Sequence, residues 1–513
     1  MKTPIPHHDS LQPTGKQPII LFALSLIFAL SILLPTKSLA QEKEAYIVVN
    51  GTKMTYYYNE NKPTNALPIE NYNEWPEGLR ETITTAEIDQ SLKDYTTLNS
   101  CAYWFYNFKN LTEITNLKYL NTENVEDMSN MFASCSKLKS LDLSNFKTAK
   151  VKSMYWMFCR CDDLERIEIG DGWNTGNVIN MSGLFNGCSK LNFDLHRLNT
   201  SKVEDMSYML NSWTKTTVFD LSEFDTQNVK NMQGMFAGCS KLEKIIIDKN
   251  KFNTSRVKDM SYMFYGCAAL YDIDFSIIKT TSVEDMRLMF AECKGFKVLD
   301  LHEIDIQIVT NIYGMFKDCI NLQTIDLRNF RTQDVTDMRG MFAGCENLTT
   351  ILVSNDWDLS HLSTNFDDPE AFASGDHTPI FSGCINLIGN NGTKYTNANP
   401  NYTQYHQDIN YVKVDDGYFT KDSYKIFYDL DGDGNIDNNL LSSYQWEEDT
   451  GTPETSFSLE KSEEIKIPNP TTYNGKTFKG WRRTPITDSN EPKPYITIPA
   501  DEIGNRIYTA VWE

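Results

Sequence analysis

The chain has 513 residues, room for about three domains of roughly 150 residues or for one elongated repeat array with appendages. Hydrophobic residues make up 40% and charged residues 23%, so the chain buries a core and is not a disordered polyelectrolyte. Against 48 Lys and Arg stand 69 Asp and Glu, and a net charge of -21 repels phosphate backbones and anionic lipid heads, which argues against a nucleic-acid partner.

Residues 1–40 read as a secretory signal peptide. A polar segment with Lys2 and Lys16 runs into the apolar stretch Ile19 to Leu34, followed by Pro35 and by Ser38-Leu39-Ala40 with small residues where a signal peptidase cuts. The apolar run is short for a membrane span of about 20 residues. Cleavage after Ala40 is therefore favoured over a retained anchor, and the mature chain is expected to have no transmembrane segment.

Repeats dominate the middle. Val125, Val151, Val178, Val203, Val229, Val257, Val283, Val309 and Val335 recur every 25 to 28 residues. Met follows three residues later (Met128, Met154, Met232, Met260), Met-Phe at six and seven (Met131-Phe132, Met235-Phe236, Met263-Phe264, Met341-Phe342) and Cys at ten. A further Leu and triplets such as Leu141-Asp142-Leu143 and Ile325-Asp326-Leu327 close the unit, and degenerate copies stand at Leu98 to Phe105 and Ile380 to Leu387. Offsets of 0, 3, 6, 7 and 10 place the first series on one face of a short helix, capped by Asp127, Asp205, Asn231, Asp259 or Asp337, whereas the closing triplet alternates as a strand. Each unit is thus predicted as one strand plus one helical turn. Neither buries its apolar face alone, so the units must stack into a solenoid.

The run Asn228 to Leu242, with Met232, Met235-Phe236 and Cys239, resembles the repeat of the BspA-like leucine-rich-repeat surface proteins of bacteria. Glu44-Ala45-Tyr46 with Tyr56-Tyr57-Tyr58 is similar to that family's N-terminal strand segment, and Leu387 to Thr393 through Gly417-Tyr418-Phe419-Thr420 to its C-terminal cap. The resemblance implies an α/β leucine-rich-repeat solenoid with its parallel sheet on the concave side, and a role in adhesion to host extracellular-matrix proteins or other cells. Leu210, Trp213 and Thr216 break the Phe, Cys and Leu columns of the fourth unit. Residues 423–513, with Gly475 to Trp481 and Ile507 to Trp512, resemble the small β-grasp-like Listeria/Bacteroides repeat. The expected division is 1–40 signal peptide, 41–97 β-rich N-terminal cap, 98–353 solenoid, 354–422 degenerate last repeat and C-terminal cap, and 423–513 β-grasp-like domain.

Nine of the 11 Cys (Cys135, Cys161, Cys188, Cys239, Cys267, Cys293, Cys319, Cys345 and Cys384) share one repeat column. Stacked columns hold Cβ atoms about 5 Å apart, beyond the span of a bridge, so buried free thiols are expected and no disulfide. Zinc is the alternative, but its ligands would have to converge on a point. All but two of the 18 Met fill the repeat columns as core packing.

Two candidate sites emerge. One acidic residue per strand faces away from the core: Asp142, Glu168, Asp194, Asp220, Asp274, Asp300 and Asp326. These form an acidic column suited to a protein ligand with a basic surface, or else a row of solvated side chains repeated by duplication. In the C-terminal segment, Asp429, Asp431, Asp433, Asn435 and Asp437 with Gly434 between them match the spacing of a calcium loop, although Leu440 stands where the bidentate Glu belongs. An acidic hairpin turn is the other reading, and no cofactor beyond Ca2+ is implied. No metalloprotease, nucleophile-elbow or phosphate-loop motif occurs. The expectation is a secreted or surface-exposed binding protein and not an enzyme, with a structural envelope scaffold as the alternative.

Overall fold

The computed structural model describes residues 42–69, 75–271, 273, 275, 278–301, 304–327, 329–353, 357 and 380–387, together with the backbone of the strands between 419 and 512. The expected signal peptide lies outside the described residues. The described chain opens with the hairpin β1 (Glu44–Asn50) and β2 (Lys53–Asn59), turning at Gly51 with φ 60. β3 (Leu67–Pro68) flanks β1, while β4 (Thr85–Ile88) and β5 (Glu113–Thr115) continue in parallel from β2, giving the order β3-β1-β2-β4-β5. This cap solves the edge problem of a stacked array. Tyr56, fully buried, stacks on Trp104 at 5.2 Å and meets Phe105 at a tilt at the same distance, and its hydroxyl donates to the Trp104 carbonyl.

Ten rungs follow, held in register by nine parallel bridges running from Ser100 through Asp127, Ser153, Asn180, Asp205, Asn231, Asp259, Asp285 and Asn311 to Asp337. The expected helical turn is not there. Met131 and Cys135 donate back three residues, to Met128 (3.2 Å) and Phe132 (3.1 Å), while Met128, Asn130, Phe132 and Ser134 donate to Ser153, Tyr155, Met157 and Cys159 of the next rung at 2.7–3.0 Å. A helix would send every N–H back four residues along its own chain. Here alternate N–H groups close β-turns and the others cross to the neighbouring rung. Left-handed residues recur four apart, as at Asn130 (φ 55) and Ser134 (φ 63) or Gly234 (φ 57) and Gly238 (φ 73). The i to i+3 period of consecutive turns imitates helical spacing in the sequence. The capping role of the Asp/Asn column remains, displaced onto turns: Ser129, Ser207, Gln233, Ser261 and Arg339 N–H donate to Oδ1 of Asp127, Asp205, Asn231, Asp259 and Asp337 at 2.8–3.1 Å.

The core consists of side-chain ladders. Phe105, Phe132, Phe158 and Phe185 stack at 5.4–5.6 Å, and Phe236, Phe264, Phe290, Phe316, Phe342 and Phe381 resume at 5.5–5.9 Å. Each such pair adds about 0.5–1.5 kcal/mol to the burial of the rings. A buried Thr ladder, unremarked in the sequence reading, ties the rungs: Thr148 donates to the Asn174 carbonyl (2.9 Å) and accepts from the Asn174 N–H (2.7 Å), and Thr175, Thr200, Thr226 and Thr254 repeat the pattern. In the irregular fourth unit Leu210 interrupts the Phe stack, and Trp213 packs against Phe185 (6.1 Å) and Phe219 (5.6 Å).

The opposite face carries the alternating strands. β6 (Ser140–Leu143) pairs with β7 (Arg166–Ile169), β8 (Val218–Asp220) with β9 (Lys244–Ile246), and β10 (Val298–Asp300), β11 (Thr324–Leu327), β12 (Thr350–Val353) and β13 (Phe419–Thr420) form one sheet, all parallel. A 3-10 turn, Leu195–Arg197, replaces the strand between β7 and β8. The described chain is therefore a parallel β-solenoid with little helix. In the C-terminal segment the backbone forms β14 (Ser423–Asp429), β15 (Gln445–Trp446), β16 (Ser456–Ser458), β17 (Ile465–Ile467), β18 (Pro470–Tyr473), β19 (Lys476–Thr484), β20 (Ile496–Ile498) and β21 (Arg506–Trp512).

Candidate functional site

The seven acidic residues do not share one surface. Asp142 and Glu168 stand opposite each other on β6 and β7, both exposed, and Asp194 and Asp220 are exposed on the next two rungs. Asp300 is half-buried and pairs in register with Asp326, which is fully buried because β11 is covered on both faces. Asp274 lies outside the described residues. The column therefore presents an exposed acidic segment on the N-terminal half of the array and sinks into the structure on the C-terminal half.

Local hydrogen bonds favour the charged form of two exposed carboxylates, Asp142 and Asp220. Asp142 accepts from the Ser144 hydroxyl (2.6 Å) and N–H (3.0 Å), which holds its pKa below the usual carboxylate value. Asp220 accepts in the same way from Ser222, at 2.7 and 3.1 Å, and its pKa is lowered chiefly by that hydroxyl, with a smaller contribution from His196. Asp194 caps the 3-10 turn by accepting from the His196 N–H (3.1 Å), and the His196 ring lies between Asp194 Oδ1 (3.5 Å) and Asp220 Oδ1 (3.3 Å). Glu168 pairs with Arg166 at 3.0 Å. Beside His196 opens a shallow polar depression of about 420 Å³, lined by Arg197, Asn199, Glu223, Asp225 and Lys251, with Lys251 paired to Glu223 at 2.7 Å.

The 11 cysteines are all free and buried. In the shared column each Sγ donates to the carbonyl one rung back, as Cys135 does to Phe105 (2.9 Å) and Cys293 to Phe264 (3.1 Å). Where the fourth unit has Trp213 instead, its Nε1 donates to the Phe185 carbonyl at 2.8 Å, so the indole N–H takes over the thiol's bond. Burial pushes the thiols of Cys135, Cys159, Cys239 and Cys319 up to about 12. Cys159, outside the column, is 2% exposed. Such thiols stay protonated at neutral pH, and it is the thiolate that acts as nucleophile.

Among the described residues no group of three or more His, Cys, Asp and Glu is placed to hold a metal, and no helix is long and apolar enough to cross a membrane. The candidate calcium ligands Asp431, Asp433, Asn435 and Asp437 lie outside the described residues, and Asp429 is described only as the last backbone position of β14. The sequence reading also missed the turn face. Five residues after the repeat Val of five consecutive units, from Val151 to Val257, Trp156, Gly183, Tyr208, Gly234 and Tyr262 succeed one another, so large rings alternate with glycine there, whereas Asn130, Leu288, Gly314 and Gly340 hold the position in the other four units. The signal was in the Met-x-Gly-Met-Phe-x-Gly-Cys spelling of two units, Met232 to Cys239 and Met338 to Cys345, whose glycines mark left-handed turn positions.

Comparison with solved structures finds two bacterial leucine-rich proteins and a pneumococcal antigen. A leucine-rich cell-surface protein of Faecalibacterium prausnitzii is 16% identical over 63% of this chain and 97% of its own, with a TM-score of 0.32. A leucine-rich-repeat protein of Bacteroides ovatus is 15% identical over 64% and 97%, with a TM-score of 0.26. The pneumococcal vaccine antigen PcpA is 13% identical over 61% and 86%, with a TM-score of 0.34. Comparison with curated protein sequences finds no match. A family profile matches five overlapping stretches, 80–171, 99–218, 163–273, 211–321 and 271–375, which together span more than half of the chain. The repeat array that builds the solenoid is thus the matched region, and the chain belongs to the family described as Mycoplasma protein of unknown function, DUF285.

Proposed function

We propose that the protein is a secreted or surface-displayed adhesin of the BspA-like kind, which uses the solenoid to bind a protein ligand with a basic surface. The observation that supports this reading is the exposed acidic segment formed by Asp142, Glu168, Asp194 and Asp220 on successive rungs, two of whose pKa values are held low by neighbouring hydroxyls. Like charges one strand spacing apart repel, and a basic partner relieves that repulsion. A ladder of backbone bonds and stacked rings fixes the spacing of the charges before any partner arrives, which lowers the entropic cost of binding. In this reading the C-terminal segment is a β-grasp-like module of the Listeria/Bacteroides repeat type. Its strand order β15-β18-β19-β21-β14-β16, with the first and last long strands β14 and β21 parallel and adjacent, supports that assignment. Any calcium bound at Asp429 to Asp437 would belong to this module and not to the adhesive surface.

The test is charge reversal at the exposed positions. The triple variant Asp142→Lys, Glu168→Lys, Asp220→Lys should bind immobilised basic extracellular-matrix proteins at least about tenfold more weakly than the wild type, with a flatter dependence on salt. Unchanged affinity and an unchanged salt slope in a folded triple variant would refute the acidic segment as the adhesive surface.

A further inference from the structure

We propose that the turn face of the solenoid carries a second binding strip, for an extended, neutral, β-linked glycan, independent of the acidic strand face. Trp156, Tyr208 and Tyr262 occupy the same repeat position on every second rung, with Gly183 and Gly234 on the rungs between. The rings lean along the array. A Cβ on Gly183 would lie 2.4 Å from Trp156 Cδ1, and one on Gly234 would lie 2.4 Å from Tyr208 Cε1, so each ring occupies the space its neighbouring glycine leaves open. All three rings remain half-exposed. Two rungs advance about 10 Å, close to the advance of one disaccharide along an extended β-linked pyranose chain. A sugar chain laid along this face would therefore meet a ring at every second residue.

The polar groups suit the same ligand. The Trp156 indole N–H and the Tyr208 and Tyr262 hydroxyls make no hydrogen bond to the described protein, although such groups ordinarily find a partner. Around Tyr208 stand Asp259, Tyr262 and Arg287. Gln233 Nε2 donates to Ser261 Oγ at 2.9 Å, leaving its carbonyl oxygen to accept, and the Arg287 guanidinium lies 3.3 Å from Asp285. Donors and acceptors beside apolar ring faces are the chemistry that recognises a sugar's hydroxyls and C–H face together. Charge then selects among glycans. Asp205, Asp259 and Asp285 lie along the bridge ladder of this face, and the whole chain carries -21, so an anionic polysaccharide is repelled. A protein hot spot would require pockets that exclude water, whereas this strip is a row of half-exposed rings, with Tyr155 stacked on Trp156 at 5.6 Å and Tyr265 edge-on to Tyr262 at 6.0 Å.

Calorimetric titration of the full-length mature chain with chitohexaose, cellohexaose and the coiled α-linked maltohexaose tests the proposal. Binding of at least one of the two β-linked hexamers, with maltohexaose at least about tenfold weaker, is expected, and so is a loss of about tenfold in each of Trp156→Ala and Tyr208→Ala. Tyr208→Phe, which keeps the ring, should lose far less than Tyr208→Ala. The lysine triple variant of the acidic segment should bind the hexamer like the wild type, so that failure of the adhesin reading and failure of this one are distinguishable. Absence of binding by both β-linked hexamers, equal binding of maltohexaose, or undiminished affinity in folded Trp156→Ala and Tyr208→Ala overturns the strip.

Discussion

Burial of all 11 thiols makes alkaline pH the sharpest perturbation of this fold. Ionisation produces a thiolate, and desolvation favours the neutral form, so the folded pKa values rise, to about 12 for Cys135, Cys159, Cys239 and Cys319. In the unfolded chain each thiol titrates near about 8.5. With the folded value above the unfolded one, this stability is fully present below about pH 8.5 and is lost as pH rises towards the folded value. By linkage each thiol costs the fold about 0.8 kcal/mol at pH 9 and about 1.4 kcal/mol at pH 9.5. Across 11 thiols the sum passes about 15 kcal/mol by pH 9.5, comparable with the whole stability of a typical domain. Cooperative unfolding is therefore expected between about pH 9 and 10. Far-ultraviolet circular dichroism in the presence of reductant, with alkylation of the thiols counted by mass at each pH, measures it. Loss of structure and thiol modification should coincide. A protein that keeps its native spectrum at pH 10 with its thiols unmodified, or one whose thiols are alkylated while the fold persists, would refute the reasoning.

Two further outcomes concern the rungs. Trp213→Phe keeps a ring but removes the N–H that bonds the Phe185 carbonyl at 2.8 Å; since that carbonyl also accepts from the Cys188 N–H at 3.0 Å, urea titration should show a loss of only about 1 kcal/mol, and a loss above about 3 kcal/mol would assign Trp213 a packing role beyond this bond. Gly234→Ala and Gly266→Ala both place a side chain at positive φ, worth about 1–2 kcal/mol each. Only Gly234→Ala also displaces the Tyr208 ring, because the nearest atom to a Cβ on Gly266 is Gly238 Cα at 3.7 Å. Gly234→Ala should therefore melt lower, the difference should vanish in a Tyr208→Ala background, and equal melting of the two single variants would contradict the packing of ring against glycine.

Much of the architecture was legible because the repeat states it nine times. The Val, Met, Phe and Cys columns could only stack, and their burial follows from their composition. What periodicity could not separate was a helix from a run of β-turns. In residues such as Met128, Met131 and Cys135 both structures bring every third or fourth side chain to one face, and the difference lies in where the intervening N–H groups go. Met128, Asn130, Phe132 and Ser134 donate to residues 25 positions further along the chain, a contact that no local pattern encodes. The glycines were the available discriminator. A helix interior does not require positive φ, whereas Gly183, Gly187, Gly234 and Gly238 all adopt it, four residues apart.

The acidic column shows the limit of column reasoning for function. Asp142 and Asp326 occupy the same repeat position, each between two apolar residues. Their exposure nevertheless differs: β6 is exposed at Ser140 and Asp142, whereas every residue of β11 is buried. The same holds on the turn face, where Trp156 and Gly183 are equivalent in the repeat and the ring of one fills the space left by the other. Duplication therefore sets which way a side chain points, and the rungs on either side set whether a ligand reaches it. Ligand selectivity in this array should accordingly lie where consecutive units differ, at the alternation of Trp156, Gly183, Tyr208, Gly234 and Tyr262 and at the break around His196, and not in the columns that every unit shares.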